Sequence, residues 1–234
     1  MNKLSALLII AILFSVQMGC ENSKASTLQR DIPNVIKGVW EPGYIYQLIY
    51  KSKDEILELG VNTVYIVVSV NDSYVETIKS PEIGEKFGED AVRVYESLID
   101  EAKSSGFAVI VILEYGVETD GGISKKVKDV DEFVNEFNKL ALKWARIAEE
   151  HNAEFFSPIN EFDQVLKENN LDTEEIIEKE GEFYNNLLPK IEDEFSGKIF
   201  CKLGSVHKNE VFNVTGCNII GITITPSRVD ENSR

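Results

Sequence analysis

An asparagine and a glutamate stand side by side at the end of an apolar run near the middle of the chain. The run AEFFSPI ends at Ile159 and is followed by Asn160, Glu161 and the aromatic Phe162. Such a run is typical of a buried strand. In a β/α barrel, a carboxylate at the C-terminal tip of a strand points into the mouth where ligands bind. A glutamate there can move a proton, and an asparagine amide can hydrogen-bond a hydroxyl group.

This pair of residue types suits the cleavage of glycosidic bonds. That reaction usually needs one carboxyl group that protonates the leaving oxygen and a second that attacks the sugar or activates water. The donor must stay protonated near neutral pH, so an apolar setting or a neighbouring carboxylate has to raise its pKa. Because Glu161 lies between Ile159 and Phe162 in the sequence, we expect its pKa to be raised.

Short apolar runs and amphipathic stretches alternate along the rest of the chain and must position the pair. Strands are predicted from the apolar runs at 35–40, 61–70, 107–115, 153–159, 198–203 and 218–225. Helical spacing of apolar residues predicts helices over 45–59, 89–105, 130–150 and 172–194, with a short helical turn at 207–213. Two other Asn-Glu pairs, at 135–136 and 209–210, do not follow any of these strands, so only the pair at 160–161 lies at the end of a predicted strand.

The repeated order of strand and helix predicts an α/β fold with parallel strands. The strands are continuous apolar runs, which is typical of a sheet covered on both faces. Both a (β/α)8 TIM-barrel-like fold and an open doubly wound sheet fit, and no glycine-rich phosphate loop follows any strand. A barrel needs eight strands, whereas about six βα units are present, so we predict an incomplete barrel.

Four segments resemble the (β/α)8 barrels of glycoside hydrolase clan A, which include endo-mannanases and endo-galactanases. The sequence KGVW at 37–40 resembles their first-strand opening, and the strands at 61–70 and 107–115 follow in the same order. SPINE at 157–161 resembles the fourth-strand Asn-Glu motif. NIIGITITP at 218–226 resembles the sixth-strand pattern, with Asn218 and Thr225 in place of the usual acid and tyrosine.

The resemblance implies a retaining hydrolase in which Glu161 is the catalytic acid/base and Asn160 binds a substrate hydroxyl. The nucleophile of this clan is a glutamate at the tip of strand seven, and our count ends after strand six, so no residue is assigned that role. If nothing follows Arg234, the chain as given is therefore expected to lack retaining hydrolase activity. Glu41 and Glu114 also lie near strand ends, where a glutamate is more often a substrate-binding or supporting group.

Aromatic rings near the predicted mouth are candidates for stacking on sugar rings. They belong to Trp40, Tyr44, Tyr74, Tyr115 and Phe162. Trp40 is the strongest candidate because it ends the first strand, just before the turn signal Glu41-Pro42-Gly43. The predicted substrate-binding set is Asn160, Trp40, Glu41, Tyr115 and Phe162. Trp144, which lies in a helical stripe, is predicted to be a core residue.

The N-terminal residues have the pattern of an export signal. Lys3 precedes an apolar run from Leu4 to Val16 that is short for a membrane span, so residues 1–19 are predicted to be a signal peptide. Gly19-Cys20 favours a lipoprotein in which Cys20 is lipidated, while Ser23-Lys24-Ala25 offers a second cleavage site. Residues 20–33 then form a polar tether and residues 34–234 the barrel domain. We expect an extracellular or cell-surface location, with the membrane reached only through this anchor.

The amino-acid composition restricts the classes of molecule that the protein can be expected to bind. The net charge is −16, with 24 basic and 40 acidic residues, which argues against nucleic-acid binding. The predicted partner is a carbohydrate, and neither a cofactor nor a metal is predicted, because the cysteines and histidines lack metal-site spacing. Export permits a disulfide between Cys201 and Cys217, but cysteines in or beside strands are commonly free and buried, which is the interpretation we favour.

Three functions therefore compete. The first is a secreted or lipid-anchored glycoside hydrolase acting on a polysaccharide or oligosaccharide. The second is a non-catalytic carbohydrate-binding surface lipoprotein built on a decayed barrel. The third is an unrelated open α/β domain in which Asn160 and Glu161 merely cap the segment that follows.

Overall fold

A computed structural model describes residues 30–41, 52–70, 91–204 and 215–223. The strands are β1 (Gly38–Glu41), β2 (Thr63–Val70), β3 (Ala108–Tyr115), β4 (Val117–Thr119), β5 (Gly122–Ser124), β6 (Phe155–Ser157), β7 (Lys198–Leu203) and β8 (Ile219–Ile222). The helices are α1 (Lys53–Glu58), α2 (Ala91–Ser104), α3 (Val130–Glu150), α4 (Phe162–Glu168) and α5 (Thr173–Glu194). The predicted signal peptide, Cys20 and the predicted turn at 207–213 lie outside the described residues.

Six strands form one sheet in the order β1-β2-β3-β6-β7-β8, and every neighbouring pair is parallel. Apart from the inserted β4–β5 hairpin, each strand lies beside the strand that precedes it in the chain. An open doubly wound sheet reverses its strand order at a switch point, and this sheet does not. The fold is therefore an incomplete TIM-type (β/α) barrel, which confirms the prediction.

The two faces of the sheet carry different cores. On the outer face, residues such as Val109 and Val111 pack with the helices in a large apolar cluster. On the inner face, Ile110, Phe155 and Phe200 belong to a second, smaller cluster. Because alternate residues of a strand point to opposite faces, burial of both faces produces the continuous apolar runs seen in the sequence.

The helices cover the outer face with the stripes that their spacing predicts. In α3 the buried stripe includes Phe133, Phe137 and Trp144, and the Asp129 side chain caps the helix by accepting from the Glu132 N–H at 2.9 Å. The Trp144 ring lies 5.5 Å from the Tyr95 ring, edge to face, which confirms it as a core residue. None of the helices in the described ranges combines the length and the hydropathy that a membrane span needs.

Two elements have no counterpart in the sequence-based prediction. The β4–β5 hairpin consists of two three-residue strands joined across Asp120 and Gly121. Helix α4 has only seven residues and begins directly after Glu161. Strands and helices this short contain too few residues to show a period.

Cys201 and Cys217 form a disulfide, so the prediction of free cysteines is wrong. Cys201 lies in β7, and Cys217 lies just before β8, which pairs with β7 from Phe200 and Ile219 onward. This parallel pairing brings the two Cα atoms to 5.8 Å, within the ordinary range for a disulfide. The sequence alone does not contain this proximity, because it depends on the register of β7 against β8.

Candidate active site

Polar side chains from four neighbouring strands meet at the C-terminal edge of the sheet. Glu114 lies at the end of β3, Asn160 and Glu161 follow β6, Lys202 is in β7, and Thr223 follows β8. In a β/α barrel this edge carries the ligand site. The backbone brings the segments together, because Asn160 donates its N–H to the Leu113 carbonyl at 2.7 Å and Thr223 donates its N–H to the Leu203 carbonyl at 3.1 Å.

Glu161 is half-buried at the point where the chain turns from the sheet into α4. Its backbone has φ 54° and ψ 54°, a left-handed conformation that non-glycine residues rarely adopt. Its side chain makes no capping hydrogen bond to the helix and instead faces Lys202 and Thr223. The interpretation of this pair as a simple cap is therefore wrong. Strained residues of this kind cluster at functional sites, because the surrounding structure must maintain them.

The carboxyl group of Glu161 is held by two donors. Oε1 accepts from Lys202 Nζ at 3.0 Å and from the Thr223 hydroxyl. Burial raises its pKa, while hydrogen bonds from Thr223 and Lys202 and the positive charges of Lys202 and Lys125 lower it, so that the net pKa lies below the ordinary value of 4.5. The expectation of a raised pKa is therefore wrong. Ile159 and Phe162 are buried in the outer core, whereas the carboxyl group lies beside an ammonium group.

Lys202 is a positioning group rather than a free cation. Its ammonium donates to Glu161 Oε1, to the Leu203 carbonyl at 3.3 Å and to the Thr223 hydroxyl. An ammonium group has three donors, so these three acceptors occupy all of them. Binding of another acceptor by Lys202 would therefore require one of these contacts to break.

Asn160 is buried, with 4% of its surface exposed, and its amide is oriented by Glu114. The Nδ2 group donates to Glu114 Oε2, while Oδ1 is buried and has no hydrogen-bond partner among the described residues. Buried polar atoms are nearly always paired, so an orphaned acceptor at a strand end calls for an explanation. The arrangement can accept a hydrogen bond from a ligand hydroxyl.

Glu114 also forms an ion pair with Lys125, which follows β5. Lys125 Nζ lies 2.8 Å from Glu114 Oε1, and both side chains are mostly buried. The site thus contains two carboxylates and two ammonium groups, each carboxylate being paired with one lysine. Within the described ranges, no group of three or more metal-ligating side chains could hold a metal ion.

Comparison with known proteins supports the fold. No family model matches the chain, and no curated protein matches it in sequence. Among solved structures it is similar to a GH113 β-1,4-mannanase, with a TM-score of 0.54 and 16% identity over 79% of this chain and 60% of the mannanase. The described part of the chain has the fold of these hydrolases.

Two further structures show the same likeness. The GH113 β-mannanase AaManA from Alicyclobacillus acidocaldarius, in complex with ManMIm, has a TM-score of 0.55 and 10% identity over 82% of this chain and 61% of the mannanase. The exo-β-1,4-mannosidase Op5Man5 from Opitutaceae bacterium strain TAV5 has a TM-score of 0.56 and 13% identity over 79% of this chain and 37% of the mannosidase. The chain spans about three-fifths of the length of the two mannanases.

Two predicted substrate-binding residues are core residues in this fold. Tyr115 is 1% exposed, and its ring lies 4.8 Å from that of Phe133. Phe162 is fully buried, 4.6 Å from the Phe183 ring. Strand alternation explains the first case, because Glu114 faces the site and its neighbour must face the helices. A buried ring has no face to offer a sugar, so these two assignments are wrong.

Two other members of the predicted set are described only through their backbone. Trp40 and Glu41 lie in β1, opposite Tyr65 and Ile66 of β2. Their side chains lie outside the description, as do Tyr44 and Tyr74, so these roles stay predictions.

Three residues of the site, Lys125, Lys202 and Thr223, are missing from the sequence-based set. A signal existed for Lys202, because a lysine between Cys201 and Leu203 interrupts an otherwise apolar strand end. Since Phe200 faces the inner cluster, the residue two positions later faces the same side. Lys125 had no comparable signal, because its hairpin was not predicted.

Proposed function

We propose that this protein is a glycoside hydrolase that acts on a β-linked polysaccharide or oligosaccharide. The observation that carries the proposal is the orphaned Oδ1 of Asn160 beside a half-buried Glu161, at the edge of the barrel where ligands bind. The structural neighbours include a β-1,4-mannanase, a β-mannanase and an exo-β-1,4-mannosidase, which makes β-1,4-mannan the first substrate to test.

In the proposed reaction, Asn160 binds a hydroxyl of the sugar and Glu161 serves as acid/base. With Lys202 and Thr223 in place, Glu161 is a carboxylate, which is the form that activates water in the second half of a retaining reaction. The first half needs a protonated Glu161. Binding of a sugar would favour that form by excluding water and by weakening the contact with Lys202. The retaining mechanism is part of the proposal, and the nucleophile is not assigned to a described residue.

A second candidate function is carbohydrate binding without cleavage. The observation that favours it is the pairing of Glu161 with Lys202 and Thr223, which lowers the pKa of the carboxyl group, since an ionised carboxyl group cannot protonate a leaving oxygen. Both functions use the same acceptor at Asn160, so they differ in turnover and not in binding.

One experiment separates the two functions. Release of reducing sugar from soluble β-1,4-mannan is measured for the wild type and for Glu161→Gln, and binding of β-1,4-mannohexaose is measured by calorimetry for both proteins and for Asn160→Ala. A hydrolase loses turnover in Glu161→Gln and keeps binding. A binding protein shows no turnover in either form, with affinity that depends on Asn160. Absence of both binding and turnover on mannan and on other β-linked glycans would contradict the whole proposal.

We also propose that the protein is exported and carried at the cell surface by a lipid on Cys20. Support comes from the sequence pattern of residues 1–19 and from the polar tether that follows. The test is incorporation of labelled palmitate in the natural host, with Cys20→Ser as the control. Label in the Cys20→Ser protein, or a protein retained in the cytoplasm, would overturn this part.

A further inference from the structure

The backbone N–H and the backbone carbonyl of Lys125 are both held by residues at the C-terminal end of α4. Its N–H donates to the Glu168 carboxylate at 2.8 Å, and its carbonyl accepts from the Asn169 amide at 3.2 Å. Asn169 Oδ1 also accepts from the Val127 N–H at 3.0 Å. Because these contacts involve the backbone of the hairpin segment, they hold it in place independently of the Lys125 side chain.

The Lys125 side chain extends from this fixed backbone to Glu114. Its Nζ lies 2.8 Å from Glu114 Oε1, and the side chains are only 12% and 22% exposed. The other oxygen of Glu114 accepts from the Asn160 amide. Lys125, Glu114 and Asn160 therefore form a continuous chain of hydrogen bonds that starts at the hairpin and ends at the ligand site.

This chain selects one of the two orientations of the Asn160 amide. A carboxylate paired with lysine has no proton to donate, so it can face only the NH2 group of the amide. The carbonyl end, Oδ1, must then point the other way, and it is the atom found buried and without a partner. A buried acceptor left unpaired is unfavourable, and a ligand hydroxyl would supply the missing hydrogen bond.

The same short helix also lies next to the second functional residue, Glu161. Helix α4 begins directly after Glu161 and ends just before Asn169. One end of the helix therefore adjoins the residue that supplies the carboxyl group of the site, and the other end contacts the segment that follows the hairpin. The segment that follows the hairpin is therefore held by the same helix that begins beside Glu161.

We propose that Lys125 is a positioning residue that acts through Glu114 to present Asn160 Oδ1 as the acceptor for a substrate hydroxyl. The identity of the ligand rests on the proposed function, whereas the orientation of the amide can be tested in the free protein. The site would discriminate in favour of sugars with a free hydroxyl at this position, and methylation or loss of that hydroxyl would weaken binding.

The test compares Lys125→Met, Lys125→Arg and Glu114→Gln with Lys126→Met as the matched control, since Lys126 is the exposed neighbour on the same segment. The first measurement is the position of the Asn160 side-chain amide resonances in the free, 15N-labelled protein. The second is the affinity for β-1,4-mannohexaose by calorimetry, made with all variants in the Glu161→Gln background so that no substrate is consumed.

We expect Lys125→Met to shift the Asn160 resonances and to weaken sugar binding about tenfold, the lower end of what a charged hydrogen bond contributes. Lys125→Arg restores the ion pair and retains affinity, and Lys126→Met matches the parent. Adding Lys125→Met to Glu114→Gln should cause no further loss, because the lysine acts only through the carboxylate.

Unchanged resonances and affinity in Lys125→Met would overturn the inference, as would additive losses in the double variant. If the parent binds no β-linked sugar, the proposed function fails, and the Asn160 resonances still decide whether Lys125 orients the amide.

Discussion

Glu161 and Lys202 are joined twice, once through their side chains and once through their backbones. Lys202 Nζ donates to Glu161 Oε1 at 3.0 Å, and the Glu161 N–H donates to the Lys202 carbonyl at 2.9 Å. The backbone bond fixes the residue in its left-handed conformation next to β7, and the side-chain bond fixes the charge of the carboxyl group. Burial raises the pKa of the candidate acid/base, whereas Thr223 and this lysine of the next strand lower it.

Replacement of Lys202 by methionine should raise the pKa of Glu161. The substitution removes a hydrogen-bond donor and a positive charge, leaving burial as the dominant influence on the carboxyl group. It should also lower the free energy of unfolding by about 1–3 kcal/mol, because Thr223 and Glu161 lose a charged partner. The pKa can be measured by 13C NMR titration of the Glu161 side-chain carboxyl carbon.

The matched control for this experiment is Lys198→Met, which removes an exposed lysine from the opposite end of the same strand. It should leave the titration of Glu161 unchanged. An unaltered pKa in Lys202→Met would show that the ion pair does not determine the charge of Glu161.

Glu161 should make the stability of the protein sensitive to acid. Its folded-state pKa is lowered, so its stabilisation is present above the ordinary value of 4.5 and is lost as the pH falls through the folded-state pKa. The same sign applies to Glu149: burial raises its pKa, but hydrogen bonds from Ser196 and the hydrogen bond and charge of Arg30 lower it, so that the net pKa is lowered. Urea unfolding of wild type and Glu161→Gln between pH 7 and pH 3, a range chosen to span the loss that begins at about pH 5, measures the difference.

The difference in unfolding free energy between wild type and Glu161→Gln should be larger at the neutral end of this range than at the acid end. A difference that stays constant across the range would mean that the carboxylate contributes nothing specific to the folded state.

The strongest periodic signals in the sequence predicted their elements well. Helix α3 and strand β7 have the predicted bounds. The apolar stripe of α3 and the apolar run of β7, which only Lys202 interrupts before Leu203, are set by the cores on the faces of the sheet. The position of Asn160 and Glu161 just beyond a strand could likewise be predicted, since the apolar run before them ends so clearly.

The electrostatics of the site could not be predicted in the same way. The residues next to Glu161 in the chain are apolar, but the turn at its left-handed backbone directs the carboxyl group towards β7 and β8. Its effective neighbours, Lys202 and Thr223, are distant in sequence. Lys125 reaches Glu114 only because of a hairpin whose strands are too short to leave a pattern.

Phe162 should contribute to stability rather than to sugar binding. Its side chain is fully buried against the Phe133 and Phe183 rings, so Phe162→Ala should lower the free energy of unfolding by about 3–5 kcal/mol. Urea unfolding gives the stability, and calorimetry with β-1,4-mannohexaose gives the affinity. Ile123→Ala, at a hairpin residue that is 71% exposed, is the control and should change stability little. A stable Phe162→Ala protein that has lost affinity would restore the stacking role.

The disulfide between Cys201 and Cys217 should stabilise the edge of the sheet that holds Thr223. It closes a loop with a sequence separation of 16 residues, for which removal of both cysteines by alanine is expected to cost about 3 kcal/mol. The loss of stability should be concentrated in β8, whose only described strand neighbour is β7. Hydrogen exchange should therefore accelerate at the amides of β8 and Thr223 more than in β2 or β3. A reducing agent should reproduce the change in wild type and have no effect on the double variant; equal protection of β8 in all four samples would refute this role.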